Sequence, residues 1–119
     1  MKQQKYRAYR SELKMFEHFE LNNITVPDRY LCGDGVHQFT GLLDQDGVEI
    51  YEGDIVSYSE RCNEHGDVQT GIIAAVMYFD EFAAFGVGRN GKLWNLFSDY
   101  GVTNMRVIGN VIQNHNILT

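Results

Sequence analysis

The side chains with metal-ligating or nucleophilic potential are few: four histidines and two cysteines in 119 residues. Cys32 with His37, and Cys62 with His65, would supply the four nitrogen and sulfur ligands a structural zinc takes. Zinc sites pair their ligands more tightly, as Cys-x2-Cys, and only Cys62-x2-His65 approaches that spacing. Loop cysteines and exposed histidines are the simpler reading, and no metal is expected. Asp44-x-Asp46-Gly47 has part of the spacing of a calcium loop, but the register puts Leu42 in the first ligand position and Gly53 in the twelfth. Neither side chain carries oxygen, and a hairpin turn explains these residues better. Gly86-Val87-Gly88-Arg89-Asn90-Gly91 spells a dinucleotide fingerprint. That fingerprint holds phosphate at the start of a helix, and residues 93–97 offer no capped helix of useful length. His18, His37, His65 and His115 stand beside no recognisable nucleophile motif. Glu49, Glu52 and Asp54 could pair two carboxylates for acid–base work, but Gly53 breaks the alternation that would put them on one strand face. Solvated turn charges are the better account, and the expectation is no enzyme and no cofactor.

The elements that must position these groups read as strands. The chain holds 12 glycines and one proline, and the glycines punctuate short runs rich in Val, Ile, Tyr and Phe. Residues 5–10 read as a first strand. Residues 13–26 are ambiguous: Leu13, Phe16 and Glu20 share a helical face, while Phe19-x-Leu21 and Ile24-x-Val26 alternate, and strand or irregular structure is favoured. Residues 27–35 carry loop chemistry. Strands are expected at 38–43, 48–51, 54–58, 68–79 and 82–87, a strand or single helical turn at 93–97, and a last strand at 104–113 that Gly109 breaks with a bulge. The run Ile72 to Met77 is apolar on both faces and predicts the most enclosed strand, with a buried helix the alternative that pattern alone leaves open. Asn90-Gly91 marks a tight hairpin. Close turns between short strands make a small barrel or sandwich.

Charge is unevenly spread over a chain of net −6. Residues 1–14 hold Lys2, Lys5, Arg7, Arg10 and Lys14 against Glu12 alone, a net of +4. Residues 38–119 hold four basic and eleven acidic residues, a net of −7. The two parts should attract each other, within one chain or between chains; a binding arm is the alternative. The acidic balance disfavours non-specific contact with nucleic acid or anionic membrane. The aromatic cluster Phe79, Phe82, Phe85, Trp94, Phe97 and Tyr100 lacks the positive groove a single-stranded nucleic acid needs, so core or interface packing is expected. The segment from Met1 to Arg10 is polar and basic, with no apolar run behind it, and no stretch reaches the length of a membrane span. Two cysteines, Cys32 and Cys62, are too few for a disulfide framework; a single bridge between them is the open alternative, but nothing points to a secreted chain. A cytoplasmic protein is expected, and the sequon Asn23-Ile24-Thr25 is incidental.

Several segments together resemble a known family. Lys5-Tyr6-Arg7-Ala8-Tyr9 is similar to a Lys-Phe-Arg-Ala-Trp opening. Gln38-Phe39-Thr40-Gly41-Leu42 leads through an Asp/Gly turn into Gly47-Val48-Glu49-Ile50-Tyr51-Glu52-Gly53-Asp54-Ile55-Val56, and Val107-Ile108-Gly109-Asn110-Val111 with Asn114 and Leu118 closes the chain. This order resembles the YopX family of phage- and prophage-encoded proteins, with residues 38–56 its most specific part. The tail departs from the family's Asn-Pro-Glu-Leu ending, reading Asn114-His115-Asn116-Ile117-Leu118. The resemblance implies a β-rich, SH3-like, partly open barrel at 38–113 with an N-terminal β extension at 1–37, forming one domain over 1–119. It assigns no biochemical activity. Glu52-Gly53-Asp54 reads as a structural corner, in which Gly53 allows a backbone angle closed to other residues and Asp54 accepts a turn N–H. The expected role is an accessory protein acting through a protein partner or self-association. Nucleic-acid binding through Lys2, Lys5, Arg7, Arg10 and Lys14 is the alternative.

Overall fold

The computed structural model describes residues 5–10, 13–20, 36–61, 65–97 and 101–118. Lys2, Cys32, Cys62, Tyr100, the sequon and the loop at 27–35 lie outside them. The strands are β1 (Lys5–Arg10), β2 (Met15–Glu20), β3 (Val36–Leu43), β4 (Glu49–Tyr51), β5 (Asp54–Arg61), β6 (Val68–Phe79), β7 (Ala84–Arg89), β8 (Lys92–Leu96) and β9 (Val102–Asn110). Single 3-10 turns stand at Asp80–Phe82 and His115–Leu118, and there is no α-helix among the described residues.

All pairings are antiparallel. One sheet runs in the order β2-β1-β3-β4 and the other β8-β7-β6-β5-β9. The ambiguous segment after Leu13 forms β2 because its aromatics find cross-strand partners. Phe16 lies opposite Tyr9 and Phe19 opposite Tyr6, with ring centroids 5.2 and 5.6 Å apart. β3 pairs with β1 on one side and β4 on the other, so one strand joins the N-terminal extension to the rest.

The five-stranded sheet curls. Tyr58 on β5 and Asn95 on β8 are separated in the sheet by β6 and β7, yet the Tyr58 hydroxyl donates to Asn95 Oδ1 at 2.8 Å. Asn95 Nδ2 in turn donates to Glu60 Oε1 at 2.9 Å. Such contacts form only if the sheet rolls toward itself, giving a mainly β half-barrel compatible with the SH3-like expectation. Inside it pack Ile50, Val56, Tyr58, Ala74, Val76 and Val87, with Ile72, Phe97, Val102, Met105 and Val107 against them. Each large apolar side chain buried here contributes roughly 1.5–3 kcal/mol.

Two details correct the sequence reading. The most enclosed strand is β5, not the apolar run on β6. Ile55 and Val56 of β5 are fully buried, whereas residues 68–71 of β6 are exposed. β5 lies between β6 and β9 along its length, while the first residues of β6 stand at the open end of the half-barrel. The strand expected from residue 82 starts at Ala84, because Asp80–Phe82 makes a 3-10 turn that ends on a left-handed Ala83. Of the aromatic cluster, Phe79 and Phe97 join the interior, but Phe82 and Trp94 stay about half exposed. The break in β9 falls beside Gly109: Ile55 pairs with Gly109 and Val56 with Val107, leaving Ile108 as the extra residue of a bulge. Gly86 and Gly88 serve close packing between strands. A Cβ at Gly86 would sit 2.6 Å from the Asn95 carbonyl oxygen.

Candidate functional site

The central feature is built on Arg7. Its strand neighbours place His37 directly across on β3 and His18 across on β2. The Arg7 guanidinium lies 4.2 Å from the Phe16 ring centre and 4.9 Å from that of Tyr51. Arg7 Nη2 stands 2.8 Å from Asp54 Oδ1, an ion pair with both side chains at least nine-tenths buried. Arg7 Nε donates to His37 Nδ1 at 3.3 Å. An arginine held between aromatic faces and a carboxylate is a strong, directional contact.

The Asp54 end is fixed by the corner between β4 and β5. Asp54 Oδ2 accepts the Tyr51 N–H at 2.8 Å. Gly53 has φ +87°, and the His37 ring sits where its Cβ would be, 2.5 Å from Cε1 and 2.6 Å from Nε2. The Gly53 N–H donates to the Val76 carbonyl, and its own carbonyl accepts from Val111, both at 2.8 Å. The corner therefore ties β6 and the C-terminal segment to the N-terminal sheet.

The electrostatics follow from burial. Desolvation, then the Arg7 charge, lowers His37 to about 4, so its imidazole is neutral at pH 7. Desolvation raises Asp54, against the opposing pull of Arg7 and the Tyr51 N–H. Burial, then Glu49, pushes the Tyr51 phenol up to about 12. Burial raises the Glu52 carboxyl as well.

The other basic residues are distributed rather than gathered. Lys5 pairs with Glu49 and Arg10 with Glu17, each at 2.8 Å. Lys14 is exposed at the β1–β2 turn with φ +52°. Lys5, Arg7 and Arg10 thus meet acidic groups of their own chain, and two of those, Glu49 and Asp54, flank the corner. His37, which the sequence pairs with Cys32 as candidate metal ligands, gives its Nδ1 to Arg7. No group of three His, Cys, Asp or Glu side chains comes together among the described residues.

Asp44 is a second anchor. Its carboxylate accepts N–H groups from Asp46 and Val48 in its own turn and from Val107 on β9, at 2.8–2.9 Å. Burial alone would raise its carboxyl, but these three donors and Arg106 hold it below the usual range. The Asp44 carboxylate is occupied by backbone N–H groups, as a turn residue's is.

The role of His37, and the groove beside it described below, had no signal in the sequence, because both depend on strands far apart in the chain.

The class defined by these features is a small half-barrel domain whose buried ionisable cluster joins two sheets. The model of the YopX protein family matches residues 2–119, and the chain belongs to that family. No curated protein matches it. No helix among the described residues is long and apolar enough to cross a membrane.

Proposed function

We propose that this protein is a phage- or prophage-encoded accessory protein, working in the bacterial cytoplasm by contact with another protein and catalysing no reaction. Family membership supports the origin. The Arg7–Asp54 pair carries the argument against catalysis: the buried groups best suited to chemistry are used to hold two sheets together. The same pairing speaks against nucleic-acid binding by the basic segment, since Lys5, Arg7 and Arg10 already face carboxylates of their own chain. It also supports docking of the basic segment on the acidic body within one chain rather than between copies.

Affinity capture from cells in which the prophage is induced tests the reading, together with light scattering at low and high salt. A stoichiometric protein partner, or a defined oligomer, is expected. A monomer at both salt concentrations that captures no protein, or one that shifts DNA at low salt, refutes it.

A further inference from the structure

A groove of about 630 Å³ runs beside the Gly53 corner. Its apolar wall is Val36 from β3, Ala75, Val76 and Met77 from β6, and Val111 and Leu118 from the C-terminal turns. Five polar side chains complete the lining: Tyr78, Asn90 and His115, and, beside Gly53, His37 and Glu52. The last two are unusual. His37 is 5% exposed, and because Nδ1 accepts from Arg7 its hydrogen sits on Nε2, where no described residue accepts it. The Glu52 main chain is anchored, its N–H donating to the Gln38 carbonyl at 2.8 Å. Its half-buried carboxylate makes no ion pair or hydrogen bond with any described residue. The buried carboxylates among the other described residues are satisfied: Asp54 by Arg7 and Tyr51, Asp44 by three N–H groups. A carboxylate taken partly out of water without a partner lowers stability, and a groove that keeps one is suited to a cation from outside.

We infer that this groove takes an extended peptide segment of a partner protein, in which a lysine or arginine stands between apolar residues. The cation pairs with the Glu52 carboxylate. A peptide carbonyl accepts from His37 Nε2, and the apolar neighbours lie on the partly exposed Val36, Met77 and Val111. Among the described residues lining the groove, Glu52 is the one acidic or Lys/Arg side chain, so the charge complementarity is specific. A groove of this size, with an apolar wall and polar groups converging beside Gly53, has the character of a binding site. The inference rests on the reading of the protein as one that acts by binding another protein.

The test is a titration of isotope-labelled protein with short acetylated, amidated peptides carrying apolar flanks around a central Lys, Arg, Gln or Glu. The Lys and Arg peptides are expected to shift the amide signals of Gly53, Val76 and Val111. Losing one charge-assisted contact in Glu52→Gln should weaken them about tenfold. Glu52→Asp, which keeps the carboxylate, should retain the preference for a cation. Unchanged backbone spectra of the free variants show that both fold. Equal binding of the Glu peptide, an unaffected Glu52→Gln, or shifts confined to another face overturn the assignment. If Glu52→Gln captures the same cellular partner as the parent protein, the groove is wrong while the binding reading survives; if neither captures any protein, the binding reading itself fails.

Discussion

Gly53 and Gly47 form a matched pair for testing whether the corner clasps the two sheets. Both have nearly the same backbone angle, φ +87° and +83°, but a Cβ at Gly47 meets nothing within 4 Å while one at Gly53 meets the His37 ring. Placing alanine in the left-handed region costs about 1–2 kcal/mol at either site. At Gly53 a further cost arises. Relieving a 2.5 Å approach to ordinary contact requires the His37 ring to move by about 1 Å. The ring is buried and its Nδ1 receives Arg7 Nε at 3.3 Å, so that movement breaks the hydrogen bond. An unsatisfied buried group then adds about 1–3 kcal/mol. Gly53→Ala should therefore lose about 2–5 kcal/mol and Gly47→Ala about 1–2 kcal/mol. Urea denaturation followed by circular dichroism measures both, and equal slopes make the difference readable as stability. In a His37→Ala background the difference between the two sites should largely vanish. The reasoning is refuted if the two alanine variants agree within about 0.5 kcal/mol in the parent protein.

Four further outcomes follow from the same geometry. Arg7→Met or Asp54→Asn alone should lose about 3–5 kcal/mol, because each leaves a buried charge without its partner, and the double variant should lose less than the sum. His37 should titrate by NMR with a midpoint near 4. Its folded value lies below its unfolded one, so the stabilising contribution is present above about pH 6.5. As pH falls toward 4 the unfolded chain takes the proton first and about 3 kcal/mol is lost, partly offset by the raised carboxyls of Glu52 and Asp54. Glu52→Gln should leave stability at pH 7 unchanged or higher in thermal melts, since it removes a desolvated charge that has no partner among the described residues. Tyr58→Phe should lose about 1–2 kcal/mol in urea denaturation, by taking the donor from Asn95 Oδ1 across the mouth of the half-barrel.

The sequence by itself determined that the protein is mainly β, and it placed most turns. Strand alternation and turn chemistry are local: Asn90-Gly91 and Asp44 to Gly47 specify their bends within a few residues, and β1 runs over the residues the pattern predicts. It also marked Glu52-Gly53-Asp54 and an attraction between the basic start and the acidic body. Only the tertiary structure decided which charges meet. Arg7 reaches Asp54 across 47 positions, and Tyr58 reaches Asn95 across 37, because sheets bring together residues whose separation along the chain carries no pattern. The enclosure of β5 over the more apolar β6 has the same origin. Burial is set by what lies on either side of a strand, and hydropathy read along one strand contains nothing about its neighbours.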